Sequence, residues 1–158
     1  MTTSNQDRLE QIKNYIQKVF GKQPKPVAIV NNECAKLDLP KINVPAHVGK
    51  LISILTMLKK PKRVLEIGTL GGYSTSWIAS SLQPEAKIVT IEINEYNAKK
   101  ALENFKLANI DQQIDLLVGD AIDILSQMIK NYSTYLKMIN QLAHEEALII
   151  FKNTNLMF

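Results

Sequence analysis

From residue 63 onwards the sequence alternates between short apolar runs and helical patterns, and this alternation constrains the fold more than any other feature. The apolar runs predict four buried strands, at Arg63–Ile67, Lys87–Ile91, Ile114–Val118 and Ala147–Phe151. The patterns between them predict helices at Tyr73–Leu82, from the capping residue Asn94 to about Ala108, at Ala121–Lys130 and at Tyr132–Leu142. Strands that alternate with helices pair in parallel through right-handed crossovers, so we expect an α/β, doubly wound, mostly parallel sheet.

One interval breaks the rhythm of the series. The helical patterns 121–130 and 132–142 follow each other, although a strand belongs near Lys130 in a regular alternation. Without that strand, the first strand would leave the hydrogen-bonding groups of one edge unpaired at the centre of the sheet. We therefore expect Ala147–Phe151 to pair with Arg63–Ile67, which gives a truncated sheet with the order third, second, first and last strand.

The first 58 residues predict a helical cover for this sheet. Helical spacing of apolar residues indicates helices at 5–20, 27–37 and 47–58, the first capped by Ser4 with Asp7, and an extended segment at 41–44. The chain of 158 residues is long enough for one core, so we expect a single domain. In it, residues 1–58 form the cover and residues 63–151 form the α/β core.

Charge and cysteine content narrow the classes of function. The net charge is +4, but Arg8 and Arg63 are the only arginines, and arginine performs most of the bidentate reading of bases and phosphates. This argues against a nucleic-acid partner. The apolar runs are too short for a membrane helix, and Cys34 is the only cysteine, so an internal disulfide is excluded. We expect a cytoplasmic protein in which Cys34 is buried and inert.

The loop after the first predicted strand carries a ligand-binding pattern. Its sequence, from Glu66 to Ser74, is Glu-Ile-Gly-Thr-Leu-Gly-Gly-Tyr-Ser. Open α/β sheets bind ligands at the carboxyl ends of their strands, and glycines let a ligand approach the backbone. The spacing Gly-x-x-Gly-Gly differs from the Gly-x-Gly-x-x-Gly of dinucleotide binders, and Glu66 would repel a pyrophosphate. An NAD-type oxidoreductase is therefore disfavoured, whereas a ligand that carries ammonium and sulfonium charges would suit Glu66.

Two further acids follow the next two strands. Glu92 ends the second strand, where a carboxylate can accept both hydroxyls of a ribose, and Asp120 follows the third strand. Asp120 and the N–H of Ala121 are placed to face the edge of an adenine, although Asp120 could also simply cap the next helix. Three acids at one sheet edge, one of them beside a glycine-rich loop, favour a nucleoside-containing ligand over three unrelated surface residues.

These motifs together resemble the cation-dependent O-methyltransferases, the family of the catechol and caffeoyl-coenzyme A methyltransferases. The resemblance rests on Val64–Thr69, Gly72–Thr75, Ile91–Ile93 and Gly119–Ala121, with support from Ile42–Pro45, Asn131–Leu136 and Ala147–Ile150. It extends over nearly the whole chain from about residue 5. The resemblance implies a class I methyltransferase sheet that binds S-adenosylmethionine (SAM) and transfers its methyl group in line to a phenolic oxygen.

The resemblance also implies a role for each site residue. The methionine end of SAM would lie against the glycine-rich loop, the ribose on Glu92 and the adenine against Asp120 and Ala121, and the backbone of Val44 would close over the ligand. The residues that the resemblance assigns to SAM are Val44, Glu66, Gly68, Thr69, Gly72, Ser74, Glu92, Asp120 and Ala121. No catalytic residue is assigned.

The metal half of the family's pattern is largely missing from the sequence. The family holds a magnesium-type ion with an Asp at the end of its fourth strand and an adjacent Asp-Asn at the end of its fifth. Here Lys130 is followed at once by Asn131, which in the family's pattern lies just after the fourth strand and its motif, so both are absent from the sequence. At the end of the last strand, Lys152-Asn153 stands in place of Asp-Asn. Asn153 alone remains as a candidate ligand, and one neutral ligand cannot hold a hard divalent ion.

Two functions from different classes therefore remain open. The first is a SAM-dependent O-methyltransferase that acts on a small phenolic, catechol-like substrate. The second is a catalytically inactive SAM-binding or dimerising protein that lacks the metal site. The family forms dimers through its N-terminal helices, so residues 5–20 and 27–37 are candidates for a homodimer interface, and the alternative is that they only cover the sheet.

Overall fold

The computed structural model describes residues 5–20, 22–40, 42–130 and 147–151. In these ranges the helices are α1 (Asn5–Phe20), α2 (Lys25–Lys36), α3 (Ala46–Lys59), α4 (Tyr73–Ala79), α5 (Glu95–Leu107) and α6 (Ala121–Lys130), with a 3-10 turn at Asp111–Gln113. The strands are β1 (Arg63–Ile67), β2 (Lys87–Glu92), β3 (Ile114–Val118) and β4 (Ala147–Phe151). None of the described helices has the length and apolarity needed to span a bilayer.

The strands form one parallel sheet in the order β3-β2-β1-β4. β1 lies between β2 and β4, with Glu66 opposite Thr90 on one side and opposite Ile150 on the other. This confirms the expected α/β architecture and the position of Ala147–Phe151 beside the first strand. The carboxyl ends of β1, β2 and β3 meet at one edge, so the loops that follow them are neighbours.

Local sequence signals explain where most of the elements begin and end. Pro24 caps α2, and a second proline fits its first turn because the fixed φ of proline suits that position, so the helix starts two residues before the predicted Val27. The side chain of Asn94 caps α5 by accepting a hydrogen bond from the N–H of Asn97, as predicted. Lys60 adopts a left-handed conformation at the end of α3 and stops it there.

The prediction for α4 was too long by three residues. The helix ends at Ala79 and not at Leu82. The hydroxyls of Ser80 and Ser81 donate back to the carbonyl oxygens of residues 76 and 77, and such bonds compete with continuation of a helix. The 3-10 turn at Asp111–Gln113 was not predicted either, because one turn is too short to show a periodic pattern. The predicted helix Tyr132–Leu142, the cap Ser4 and Lys41 lie outside the described residues.

The core lies between the sheet and helices α2, α4 and α5. Its largest fully buried side chains include Phe105 of α5, Ile78 of α4 and Ile88 of β2. A second cluster joins Val27 of α2 to Trp77 of α4. Helices α2 and α3 both pack on α4, the helix that follows the glycine-rich loop. The N-terminal cover therefore supports the loop from behind.

Candidate functional site

The glycine-rich loop between β1 and α4 makes a tight turn with left-handed residues. Gly68, Leu70 and Gly72 have φ angles of 91°, 52° and 87°. The Gly68 N–H donates to the carbonyl of Ile91 at 2.9 Å, which ties the loop to the end of β2. A Cβ atom at position 72 would overlap the ring of Phe105, so this position needs glycine for both its φ and its space.

Glu66 is fully buried beneath this loop and is surrounded by hydroxyl groups. Its Oε1 accepts a hydrogen bond from Ser74 at 2.6 Å, and its Oε2 accepts from Thr75 at 2.6 Å and from Thr90 at 2.9 Å. A buried carboxylate is tolerated only when it is hydrogen-bonded in this way. The structure thus brings Glu66 and Ser74 together as predicted, but Ser74 directs its proton at Glu66 and so does not present it to a ligand carboxylate.

Glu92 ends β2 and holds the glycine-rich loop from the other side. Its Oε2 accepts from the N–H of Leu70 at 2.7 Å and from the N–H of Thr69 at 3.1 Å. Its Oε1 accepts from the N–H of Asn94 at 3.0 Å. Each carboxylate oxygen has two lone pairs, so Oε1 retains one acceptor direction beyond these bonds. Glu92 can therefore bind one further hydroxyl without releasing the loop.

Asp120 occupies the end of β3 and caps helix α6. Its Oδ1 accepts from the N–H of Ile122 at 2.7 Å and from that of Asp123 at 3.3 Å. Asp120 is also exposed, and Ala121 beside it is partly exposed. The capping role and a ligand-facing role are compatible, because the capping bonds occupy a single oxygen of the carboxylate.

Val44 lies on the N-terminal cover, in the segment that leads into α3. Its side chain is partly buried against the cluster of Val27, Tyr73 and Trp77. The Tyr73 phenol accepts a hydrogen bond from Gln23 at 2.9 Å, and burial raises the pKa of this phenol above its ordinary value of 10.0. The segment with Val44 is therefore attached to the first turn of α4, next to the glycine-rich loop.

Two groups of residues at this edge escaped the sequence analysis. Ile93 and Ile122, directly after Glu92 and Ala121, are 67% and 73% exposed, and they add apolar surface beside the acids. The sequence signal that could have identified them is their position, because each directly follows a residue that was predicted to contact the ligand. Behind the loop, Asn104 of α5 donates to the carbonyl of Gly71 at 2.9 Å and the buried Cys34 thiol donates to it at 3.4 Å. No local pattern indicated those long-range contacts.

The described residues do not fit a divalent metal ion. No group of three or more His, Cys, Asp or Glu side chains in the described ranges could hold one. Among the strand-end acids, Asp120 uses an oxygen to cap α6, and both oxygens of Glu66 accept hydrogen bonds from hydroxyl groups. Lys152 and the candidate metal ligand Asn153 lie outside the described residues.

Comparison with known proteins assigns the family. Residues 21–156 match the O-methyltransferase family. The catechol O-methyltransferase of Niastella koreensis is 32% identical over 126 residues, which are 80% of this chain and 57% of that protein. An O-methyltransferase of Streptomyces achromogenes involved in tomaymycin synthesis, solved in complex with SAM, is 33% identical with a TM-score of 0.71. It is matched over 79% of this chain and 56% of its own.

A further solved relative agrees with this assignment. The O-methyltransferase of Bacillus cereus in complex with SAH is 32% identical with a TM-score of 0.70, over 76% of this chain and 55% of that one. The chain thus spans just over half the length of these relatives. The match nevertheless includes the sheet, the glycine-rich loop and all three strand-end acids, and the chain belongs to the O-methyltransferase family.

Proposed function

We propose that this chain binds SAM, and its product S-adenosylhomocysteine (SAH), at the carboxyl ends of β1, β2 and β3. The observation that carries the proposal is the geometry of Glu92, a buried carboxylate that fixes the glycine-rich loop and keeps one acceptor direction on Oε1. Such an acid at the end of the second strand can accept a ribose hydroxyl. The complexes of two relatives with SAM or SAH support the same ligand.

The other strand ends supply what the remaining parts of this ligand need. Exposed Ile93 and Ile122 offer apolar surface for a flat base, and the free Oδ2 side of Asp120 offers an acceptor for its amino group. The left-handed Gly68 and Gly72 leave the loop backbone open to close approach by the methionine part. Val44, on the cover, would complete the enclosure.

Calorimetry with SAH tests this assignment. We expect binding by the wild-type chain and a loss of at least about tenfold for Glu92→Gln, because its NH2 group would face a backbone N–H, either of the loop or of Asn94, and two donors cannot bond. Glu95→Gln is the matched control, since Glu95 is an exposed acid in the first turn of α5. Equal SAH affinities of wild type and Glu92→Gln, with both variants folded, would remove Glu92 from the site.

The reaction that we propose is methyl transfer to a phenolic, catechol-like hydroxyl. The methyl group would leave the sulfonium sulfur of SAM as the phenolic oxygen attacks in line; SAH departs as a neutral thioether, and the phenolic proton is released to solvent. Positioning and electrostatics are the main contributions of a protein to such a step. The catechol O-methyltransferase of Niastella koreensis supports this acceptor class.

A second function is favoured by the sequence around the expected metal site. Lys152 stands where the family's pattern has an Asp, and the motif of the family's own fourth strand, which is not β4 here, is missing from the sequence. These changes support a SAM-binding protein without methyl transfer. SAH binding without methylation of catechol would support this second function, and turnover of catechol that depends on magnesium would exclude it.

We also propose that two copies of the chain associate, through α1 and α3. The interface predicted at 27–37 is unsuited to this, because the apolar residues Val27 and Val30 of α2 are buried within the chain. Helix α3 instead exposes an apolar stripe at Leu51, Leu55 and Leu58, and α1, which packs on α3, exposes Leu9, Ile12 and Val19. Apolar surface of this extent supports a protein partner, and a second copy would bury the same stripe on both sides.

A further inference from the structure

Thr90 links the buried carboxylate of Glu66 to the glycine-rich loop, although none of the roles above involves it. It lies on β2 opposite Glu66 of β1 and is fully buried. Its Oγ1 donates to Glu66 Oε2 at 2.9 Å and lies 2.7 Å from Oγ1 of Thr69 in the glycine-rich loop. Thr90 is thus the connection between the buried carboxylate and the loop above it.

The direction of these hydrogen bonds follows from the number of protons. A hydroxyl has one proton to donate, and Thr90 gives its proton to the carboxylate. In the bond between the two threonines, Thr69 must therefore be the donor. The result is a directed chain, from the Thr69 hydroxyl through the Thr90 hydroxyl to Glu66, with one possible orientation at each step. Chains of this kind are stronger than isolated hydrogen bonds and define one geometry.

Thr69 is held by β2 through its backbone as well. Its N–H donates to Glu92, two residues beyond Thr90 and therefore on the same face of the strand. Two successive side chains on one face of β2 thus fix the hydroxyl and the N–H of a single loop residue. Replacing Thr90 by an apolar residue would release the hydroxyl of Thr69 and remove one donor from Glu66, while the bonds to Glu92 remain.

We propose that Thr90 is a positioning residue for the amino-acid end of the methyl donor. The inference rests on the proposed function, since it assumes that SAM or SAH binds at this edge. Thr90 acts through Thr69 in the glycine-rich loop and through Glu66 beneath it, and its hydrogen bonds run to these two residues and not to the nucleoside side at Asp120 and Ile93. Its contribution to affinity is therefore confined to ligands that carry the amino-acid part.

Two ligands that differ in that part test the proposal. SAH carries the amino-acid end, and 5′-methylthioadenosine lacks it but has the same nucleoside. For Thr90→Val we expect about tenfold weaker binding of SAH, the size expected for buried hydrogen bonds that are lost or left unmade, and a change below about twofold for 5′-methylthioadenosine. Thr90→Ser keeps the hydroxyl, so it restores SAH affinity to within about twofold of wild type.

A second variant covers the case in which Thr90→Val does not fold. Thr69→Val removes the first donor of the chain and leaves the bond from Thr90 to Glu66 in place, so it produces the same selective loss of SAH affinity. Equal losses for the two ligands, no loss for SAH, or failure of Thr90→Ser to restore binding would overturn the role of Thr90. Failure of the wild-type chain to bind either ligand would instead overturn the proposed function, and this inference with it.

Discussion

At the scale of single residues, Tyr73 shows how burial couples a side chain of the cover to stability. Its ring is almost fully buried, its phenol accepts from Gln23, and burial raises the pKa of the phenol above 10.0. The folded chain therefore keeps the proton at pH values where the unfolded chain loses it. The stability that the neutral phenol provides is complete below pH 10.0 and is lost as the pH rises towards the pKa in the folded chain.

Tyr73→Phe removes this titration. Near neutral pH we expect the variant to be about 1 kcal/mol less stable than wild type, because one hydrogen bond is lost. Above pH 10.0 this difference should shrink or reverse, because only the wild-type chain has a phenol to ionise. Urea unfolding at the two pH values measures the difference. Gln23→Ala loses the same bond but keeps the phenol, so between the two pH values its stability falls as much as that of wild type. If the stability of Tyr73→Phe falls as much as that of wild type over the same pH range, the expectation is refuted.

The residues of the site differ in how far the sequence could predict them. Glu66, Glu92 and Asp120 were predictable because strand ends in a parallel sheet meet at one edge. The hydrogen bonds that Thr75 and Thr90 donate to Glu66 were not predictable, because threonines in a helix or strand have no distinctive pattern. The side chains that face a carboxylate depend on strand register, here Glu66 opposite Thr90, which local sequence does not encode.

At the scale of elements, the apolar patterns predicted the type of every described α-helix and β-strand, but they did not show which face of a helix is covered. α3 is the more apolar of the helices α2 and α3, yet α2 buries its apolar residues while α3 leaves a stripe exposed. Burial of α2 depends on its contacts with α4 and α5, which are distant in sequence. This is why the predicted interface helix 27–37 differs from the exposed one.

The exposed stripe on α3 predicts that the wild-type chain is a dimer and that a charge placed in the stripe separates the two copies. We expect the wild-type chain to elute and scatter light as a dimer, and Leu51→Glu to shift it to the monomer, because a charge buried at the interface is unfavourable. Leu107→Glu on α5 is the matched control, since Leu107 is 58% exposed and Leu51 is 54% exposed. A wild-type monomer at micromolar concentration, or a dimer that persists in Leu51→Glu, would argue against this interface.

At the scale of the whole molecule, the order of the described strands follows from the need to pair the central strand on both sides. β4 pairs with β1 over all five residues of each strand, so the central strand is bonded on both sides. The order was predictable because an unpaired strand at the centre of a sheet is unfavourable whatever the details of the sequence. The edge that carries Glu66, Glu92 and Asp120 is formed by β1, β2 and β3 alone.

The strands to which we assign SAM differ from those that carry the family's metal pattern, and this leads to a prediction about divalent ions. Apart from Val44 on the cover, the residues that we assign to SAH lie on β1, β2, β3 or directly after them, and no group of His, Cys, Asp or Glu among the described residues is suited to a metal. The affinity of the wild-type chain for SAH should therefore be the same, within about twofold, in EDTA and in millimolar magnesium. Calorimetric titrations in the two buffers at equal ionic strength measure this, with calcium chloride in place of magnesium chloride as the control for screening by salt. An affinity that rises several-fold with magnesium but not with calcium would mean that the chain assembles a metal site despite Lys152, and the second proposed function would then lose its support.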